Sequence, residues 1–503
     1  MKETCSDTSP LLWLERAKGE TNDTELRLGI VPPRLLTYVN SGYPRSRNDG
    51  TMWAGRGATL ALDGGVYGAW EAKRFTLSAG LAPQAIFTQN AAFDIATGIS
   101  RSRYSPYIYP WHATAIDWPQ RFGDRSFWTV DPGQSFVRLD AFGAMVSFST
   151  ENLWWGPALR NPLLLSSNAP GFPHVAVGTS RPVDVWIGNL EVEAIWGYLD
   201  ESDHFDVDPD NDRRLMSGLI VDFEPRWLPG LYLGLARIHT TTIPPEGMPF
   251  DEMVLGAYQD VRDNPQGRIG GDNQLISVFG RWAHPGVGFE AYFEWAREDH
   301  WMDLMNLFMV PDGSQAYTLG FQKVIDTESK WVRLYGELTH LGDALPIIHA
   351  GRGVLSYYTH SQIRQGHTHK GQILGAAIGP GSDAQILGVD VFHGGGLFGG
   401  SIERVRYDTD AYYAAWSEFY GPHGHDVEFT GEIHRTFFVR DFDIAWGVGY
   451  SHRYNRNFIG LDGANWDFRV DGNWQVRLDV TWRPDQRREP ERPRPPVTTT
   501  DSR

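Results

Sequence analysis

Cysteine and long apolar runs are scarce in this chain of 503 residues, and each scarcity excludes a class of protein. Cys5 is the single cysteine, so the chain has no intrachain disulfide and no metal site built on paired cysteines. No stretch approaches the roughly 18 uninterrupted apolar residues of a membrane-spanning helix, which excludes a helical membrane protein. Strands that cross a membrane escape this test, because only alternate residues meet lipid.

Positive charge is also in short supply, since the formal net charge is −17. A nucleic-acid binder needs clustered positive charge, so we expect no nucleic-acid partner. Only six of the 45 basic residues are lysines, and the remainder are arginines. Arginine meets carboxylates in a planar fork, although genome base composition explains the same bias at least as well.

The first residues do not form a signal peptide. Residues 1–20 carry acidic side chains early and an apolar run only from Leu11 to Leu14, which is shorter than the ~7–15 residues that export requires. We expect the true start to lie upstream of Met1, because the rest of the chain has an exported character. The predicted organisation is a truncated or disordered segment over 1–23, a barrel over 24–483, and a disordered Pro- and Arg-rich tail over 484–503.

Alternation of apolar and polar residues recurs along the chain and predicts strands. It is clearest over 473–482, where Trp474, Val476, Leu478, Val480 and Trp482 share one face. The other predicted strands cover 24–31, 54–70, 75–81, 135–150, 184–199, 214–223, 231–239, 274–282, 287–297, 317–323, 331–340, 384–393, 397–407, 427–438 and 442–452. In 135–150, Val137, Leu139 and Met145 are expected on one face. Long loops are predicted over 83–134 and 343–372, and short loop helices over 248–263 and 300–309.

Three features favour a membrane barrel over a sheet in water. Charged residues recur on one strand face, as with Arg333 and Glu337, which suits a wet or ion-paired interior. Tryptophans lie near strand ends, as aromatic girdles require, and short turns alternate with long loops. We therefore predict an all-β protein, a closed antiparallel transmembrane β-barrel of about 16–18 strands in the outer membrane, in contact with its lipid.

An irregular segment over 151–173 interrupts the alternation. Prolines break it every few residues, yet its tryptophan pair and three consecutive leucines are too apolar for a loop in water. A well-packed structural loop is one interpretation. The other is a plug lying against the inner wall of the barrel, and we predict that residues 154–168 and the histidine-rich loop over 360–370 fold inward and occlude the lumen.

Two blocks of sequence carry a family resemblance. The first is Trp154-Trp155-Gly156-Pro157, followed by 163–169 with Asn168; the second contains His360, His367, His369 and Lys370. In this order they resemble the Wzi-type capsule assembly outer-membrane family. The resemblance implies an outer-membrane barrel that binds surface polysaccharide as a lectin and helps to assemble or retain the capsule, with other capsule export components as possible partners. It does not identify the sugar-contacting residues.

No catalytic or metal-binding constellation emerges. His367 with His369, and His423 with His425, have the spacing to share one face of a strand, but no carboxylate or cysteine completes a zinc pattern. Glu290 and Glu294 are a possible glycosidase pair, and spaced charges on a lumen wall explain them more simply. We expect neither enzymatic activity nor a cofactor or metal, and a porin or solute transporter is the alternative function.

The long loop over 83–134 combines arginine with aromatic residues, a mixture that suits the binding of acidic sugars. The alternative is a packed loop whose arginines form internal ion pairs. The candidate polysaccharide-binding residues are Arg101, Arg103, Tyr107, Tyr109, Trp111, Trp118 and Arg121.

Overall fold

A computed structural model describes most of the chain. The described residues are 25–97, 105–205, 212–244, 246–248, 250, 253, 272–298, 314–327, 329–342, 356–421, 423–461 and 468–483. The predicted segments over 1–23 and 484–503 therefore lie outside the described residues, as do nearly all of the two predicted loop helices over 248–263 and 300–309.

The described strands form a closed antiparallel barrel. Of these strands, 21 belong to one sheet. We call each strand position around the barrel a stave. Three staves consist of two short strands in succession, namely β3 with β4, β5 with β6, and β8 with β9. The 21 strands therefore form 18 staves in the described chain. The first strand pairs with the last from Arg34 opposite Thr481 to Asn40 opposite Gln475, and this seam closes the sheet. The predicted fold class and strand number are confirmed.

The element bounds follow in chain order. The strands are β1 Glu25–Asn40, β2 Gly57–Ala72, β3 Phe75–Leu81, β4 Gln84–Thr88, β5 Phe127–Asp131, β6 Phe136–Ala141, β7 Ala144–Ser149, β8 His174–Thr179, β9 Val183–Asp184, β10 Gly188–Asp200, β11 Arg213–Pro225, β12 Leu231–Thr242, β13 Asp272–His284, β14 Phe289–Glu298, β15 Gln315–Thr327, β16 Lys330–Gly342, β17 Thr368–His369, β18 Gln372–Ile373, β19 Asp383–His393, β20 Gly396–Tyr407, β21 Asp426–Val439, β22 Phe442–Tyr454 and β23 Val470–Trp482. The helices are α1 Thr409–Ala415 and α2 Ser417–Tyr420, with 3-10 turns at Pro110–His112, Pro285–Val287 and Arg456–Phe458.

The two ends of the barrel differ in loop length. Turns such as 73–74, 142–143, 394–395 and 440–441 join strands at one end, whereas the segments over 89–126, 150–173 and 408–425 connect strands at the other. Short turns mark the periplasmic end of outer-membrane barrels and long loops the outer end. The long-loop end is therefore the outer end of the barrel, and we call it the outer rim.

Apolar side chains cover the outside of the barrel. On β23, Trp474, Val476 and Leu478 are 57%, 44% and 41% exposed, while the alternate residues Asn473 and Gln475 are buried. The face predicted for lipid is therefore the outer face. Within the described part of the chain, no helix has the length and apolarity to cross a membrane.

Several sequence-based boundaries were wrong. Strand β1, predicted over 24–31, runs to Asn40, and the strand predicted over 184–199 is interrupted between β9 and β10. The segment predicted as one strand over 135–150 is the hairpin of β6 and β7, which turns at Phe142 and Gly143 with φ of 54° and 85°. A two-residue turn of this kind needs positive φ at both positions. It leaves Met145 buried opposite Asp140, on the face opposite to Val137 and Leu139. The loop predicted over 83–134 also contains β4 and β5.

The hydrophobic core lies inside the barrel. Residues of the irregular segments, among them Leu163, Leu164 and Tyr358, pack with inward-facing wall residues such as Ile195 and Ile238, and all are essentially inaccessible. A barrel of 18 staves is wide enough for an open channel. Here loops that fold inward fill that space.

Because the outer face of β23 meets lipid, a charged residue placed there should destabilise the folded barrel. Replacing Val476 or Leu478 with arginine should cost about 2–4 kcal/mol in the free energy of folding into lipid, because both side chains face the hydrocarbon. Reversible unfolding in lipid vesicles measures this cost. Asn189→Arg is the control, since it places the same charge at an exposed position on the lumen face of β10 beside Glu224, and its cost should stay below about 1 kcal/mol. Equal costs at the two faces would contradict the assignment.

Candidate functional site

One wall carboxylate holds the middle of the irregular segment. Glu337 on β16 accepts hydrogen bonds from the backbone N–H groups of Leu159, Arg160 and Asn161, at 2.7, 3.1 and 2.9 Å. Tyr292 donates its hydroxyl to the same carboxylate at 2.8 Å. Prolines limit regular backbone pairing in this segment, which pairs with itself at Trp155 and Leu165. Glu337 supplies acceptors for the N–H groups of residues 159–161.

A second set of bonds joins this segment to the histidine-rich loop. Leu163 donates its N–H to Glu294 at 3.2 Å, and its carbonyl accepts the Tyr358 hydroxyl at 2.6 Å. The Nε2 of His367 lies 2.6 Å from the carbonyl oxygen of Leu164. A carbonyl only accepts, so Nε2 carries the proton, and burial lowers the pKa of His367 to about 4. His367 is therefore a neutral donor. We call segments 151–173 and 356–382 together the plug.

The other motif residues also serve the plug. Trp155 packs its ring against Gly218, where a Cβ would lie 2.6 Å from the ring. Gly156 adopts φ of 103°, and a Cβ there would collide with the Glu294 carboxylate. Trp154 donates to the Ala158 carbonyl at 3.1 Å, and Pro157 follows Gly156 in the same bend. These contacts place Trp155 and Gly156 against the inner wall of the barrel.

The remaining motif residues anchor the second segment. Asn168 donates to the Ile373 carbonyl at 2.9 Å, and His360 accepts through Nδ1 from the Ile363 N–H at 2.9 Å. His369 accepts from the Asp200 N–H at 3.0 Å, and Lys370 lies 3.6 Å from Asp131. Each histidine has a structural partner. Among the described residues no group of three or more His, Cys, Asp or Glu is placed to hold a metal ion.

An ion-pair network lies beside the plug, and sequence reasoning missed it. Arg45 and Arg47, in the loop after β1, contact Glu403 at 2.6 and 2.5 Å, and Arg45 also contacts Glu428 at 3.0 Å. Arg45, Arg47 and Glu403 border a cavity of about 80 Å³ whose lining also includes Arg160 and Arg477. The apolar–polar alternation of the sequence indicated only that Glu403 and Glu428 face the inside of the barrel. It did not indicate their arginine partners.

The predicted sugar-binding residues divide into three groups. Arg101 and Arg103 lie outside the described residues. Tyr109 and Arg121 are buried: Tyr109 donates to Asp408 at 2.8 Å, and Arg121 donates to the Asn90 carbonyl at 2.7 Å. These internal bonds fit the alternative interpretation, a packed loop. Half-buried aromatic rings form the third group, namely Tyr107, Trp111 and Trp118.

A cleft at the outer rim brings together three arginines that the sequence analysis did not select. Arg56, Arg456 and Arg469 line a volume of about 280 Å³ with Tyr43 and Phe93. The guanidinium of Arg456 lies 5.6 Å from the centre of the Phe93 ring. Its other lining side chains include Asp94 and Asp471, which contact Arg469 at 2.8 and 3.0 Å. We call this the arginine cleft. The seam between β1 and β23 creates it, because the loops beyond the paired ends become neighbours.

Glu290 and Glu294, the possible glycosidase pair, are hydrogen-bonded to neighbouring residues of the wall and the plug. Glu290 accepts from Arg281 at 2.6 Å and from Gln322 at 3.1 Å. Glu294 accepts from Ser277 at 2.8 Å besides its bond to the plug. Both carboxylates are buried on the lumen wall, as expected of spaced charges there.

Comparison with known proteins decides the family. The family model described as capsule assembly protein Wzi matches residues 62–483. The chain belongs to this family. It is thus an outer-membrane β-barrel of the capsule assembly class, and the resemblance of its two motif blocks is confirmed. A search of curated proteins found no match.

Solved structures share the fold of this Wzi-family chain at low identity. Wzi of Escherichia coli, described as an outer membrane protein involved in group 1 capsule assembly and as a carbohydrate-binding β-barrel, is 14% identical, with a TM-score of 0.56 over 90% of this chain and 85% of its own. OccAB2 of Acinetobacter baumannii and OccK2 of Pseudomonas aeruginosa are each 10% identical, with TM-scores of 0.43. They cover 90% and 91% of this chain and 97% and 98% of their own.

The bonds of Glu337 predict how the plug responds to a mutation. Glu337→Gln leaves one oxygen for three N–H donors and turns an amide donor toward them, so we expect the plug to lose about 2–3 kcal/mol. Planar-bilayer recording should give a closed baseline for the native protein and intermittent openings for the variant. Glu191→Gln, an exposed lumen-wall position, is the control and should remain closed. Steady ohmic conductance of the native protein would mean that the plug does not seal the barrel.

The contact between His112 and Asp408 predicts a pH dependence. Burial opposes the charged imidazolium, but the carboxylate 2.9 Å away outweighs it and raises the pKa of His112. The unfolded value is about 6.5. The stabilisation that the contact between His112 and Asp408 gives the folded protein is therefore fully present below about pH 6.5. It is lost as the pH rises through the higher pKa that His112 has in the folded protein.

Hydrogen exchange of residues 105–120, corrected for intrinsic rates, measures this effect. Protection in the native protein should exceed that of His112→Gln by about 1–3 kcal/mol at pH 5.5 and by less at pH 9. His204→Gln is the control, because burial lowers the pKa of His204 and gives no such trend. A difference that stays constant between the two pH values would contradict the assignment.

Proposed function

We propose that this protein binds an acidic capsular or extracellular polysaccharide at its outer rim and helps to retain that polymer on the cell surface. The observation that carries the proposal is the arginine cleft, which opens at the outer end of a barrel whose lumen is plugged. A plugged lumen favours a surface function over the porin alternative. Contact with other capsule export components is part of the same proposal.

The cleft combines two groups that suit an acidic sugar. Guanidinium groups pair with carboxylates in a two-bond fork, and an aromatic ring packs against the apolar face of a sugar. Arg456 is 4% exposed and bound to Asp471, so it supports the cleft, whereas Arg469 is 29% exposed and open to a ligand. Asp94 is 71% exposed and can turn away when a sugar carboxylate replaces it.

The acidic net charge of the chain would repel an acidic polysaccharide, but the charge at the cleft itself is positive. Three arginines and two aspartates leave one net positive charge in the cleft. At physiological ionic strength charges beyond about 8 Å are largely screened, so the distant carboxylates of the chain act weakly on a polymer at the rim. A long polymer also gains from many weak contacts. Arg101 and Arg103, together with the half-buried rings of Tyr107, Trp111 and Trp118, are proposed as such further contacts.

The test compares polymer retention in cells. A deletion strain should synthesise its surface polysaccharide but release it, and the Arg56→Ala/Arg469→Ala variant should release an intermediate amount. Arg226→Ala removes an arginine that is more exposed, at 57%, from a periplasmic turn and is the control. Polysaccharide in the cell pellet and in the medium is quantified for each strain.

The outcomes separate the function from the site. Normal retention in the deletion strain would refute polysaccharide retention altogether. Loss in the deletion strain with normal retention in the double variant would place the site in another loop, for which Arg101→Ala/Arg103→Ala is the next variant. Heat-dependent migration in detergent gels verifies that each variant barrel has folded.

A further inference from the structure

One column of residues on the outer face of β20 changes abruptly from charged to apolar. Arg406, Arg404, Ile402 and Gly400 alternate along the strand and so share its lipid-facing side. The residues between them point inward: Glu403 joins the luminal ion pairs, and Val405 belongs to the core. The two arginines lie at the rim end of the column, and the glycine lies toward the middle of the membrane.

The charged end has more positive than negative charge. Arg404 donates through Nη1 to Asp383 at 2.9 Å and to Gln385 at 2.8 Å, and Arg406 donates through Nε to Asp383 at 2.6 Å. The two arginine side chains are 34% and 29% exposed, whereas Asp383 is 10% exposed. A guanidinium has five N–H donors, so both groups retain donors for an anion beyond the one carboxylate that they share.

The apolar end is a recess in the barrel wall. It has a volume of about 630 Å³, and its lining includes Leu387, Gly400, Ile402, Gly431, Tyr450 and Trp474. Two glycines form its floor, and a Cβ on Gly431 would meet nothing within 4 Å. Tyr450 and Trp474 lie with ring centres 4.9 Å apart at one edge, and Ile402 is 66% exposed. This volume is in the range of ligand sites.

The spacing of the two ends matches a lipid. Four residues of strand separate Arg404 from Gly400, which is about 14 Å. A lipid has the same arrangement, with an anionic headgroup at the membrane interface and an acyl chain extending from it into the hydrocarbon. A second copy of the chain would fill the recess but would leave the exposed guanidinium groups without an anion. We propose that this column binds one lipid whose phosphate headgroup carries a net negative charge, with its phosphate at Arg404 and Arg406 and an acyl chain in the glycine-floored recess.

Native mass spectrometry tests the proposal on the whole protein in a non-ionic detergent. The probes are phosphatidylglycerol and phosphatidylcholine with identical chains, added in equal amounts. One phosphatidylglycerol should be retained in preference to phosphatidylcholine. Arg404→Ala/Arg406→Ala should reduce this preference about tenfold, because charge-assisted hydrogen bonds are lost. Gly431→Leu, which fills the recess, should reduce retention of both lipids.

The control is Arg237→Ala. Arg237 lies on β12, on the outer face of a distant stave, where it donates to the neutral Gln274 at 2.6 Å. Its loss should leave lipid retention unchanged. Equal retention by the native protein and the double arginine variant would overturn the proposal, as would an equal loss in Arg237→Ala. A lipid-independent dimer that Gly431→Leu abolishes would assign the recess to a second copy instead. A folded barrel in every variant, verified by heat-dependent gel migration, keeps these outcomes interpretable.

Discussion

Pairing of every backbone N–H and C=O group in lipid is the constraint on which the whole structure depends. Unpaired groups cost several kcal/mol each in hydrocarbon, so a sheet that crosses the membrane must close on itself. Closure here joins β1 to β23, strands at opposite ends of the described chain. Arg34 forks onto Asp479 across this seam, with contacts of 3.0 and 2.6 Å. The same seam brings together the loops that line the arginine cleft.

The same constraint operates inside the barrel. Irregular backbone at membrane depth must find partners within the protein, and the plug finds them on carboxylates of the wall. Glu337 and Glu294 accept from its N–H groups, and Glu298 accepts from Tyr358. Arg214 supplies donors to the carbonyls of Gly366 and Thr368 at 2.9 and 3.0 Å. Charged wall residues thus supply partners at the positions where the plug backbone does not pair with itself.

The barrel was more predictable from the sequence than the plug contacts were. Alternation has a short period and depends only on which face meets lipid, so it identified β23 and most other strands. It failed at 135–150, because the two-residue turn at Phe142 and Gly143 preserves an apparent alternation while the chain reverses. Strands β4 and β5 were missed because they are only five residues long and lie between aromatic loop residues.

The plug and the rim depend on contacts between distant parts of the chain. The alternation placed Glu337 on the polar face, but nothing local indicated that it would accept three N–H groups from residues 159–161. Arg121 was selected for its residue type, and its bonds to Asn90 depend on how the long loop folds back. The arginine cleft was recoverable in principle. Closure of a barrel makes its first and last strands neighbours, so the loops beyond Asn40 and before Val470 had to meet.

The preference for arginine over lysine acquires a structural reason inside the barrel. Arg453 binds Asp426 through two N–H groups at 2.7 and 2.6 Å, and Arg34 binds Asp479 in the same forked way. A lysine is a single charge on a flexible stem and cannot make this planar pair. Such forks neutralise acidic residues of the wall and seam within the barrel. The net charge of the chain is therefore a poor guide to what an outside polymer meets. The position of each charge decides this, and in the arginine cleft at the outer rim three arginines face two aspartates.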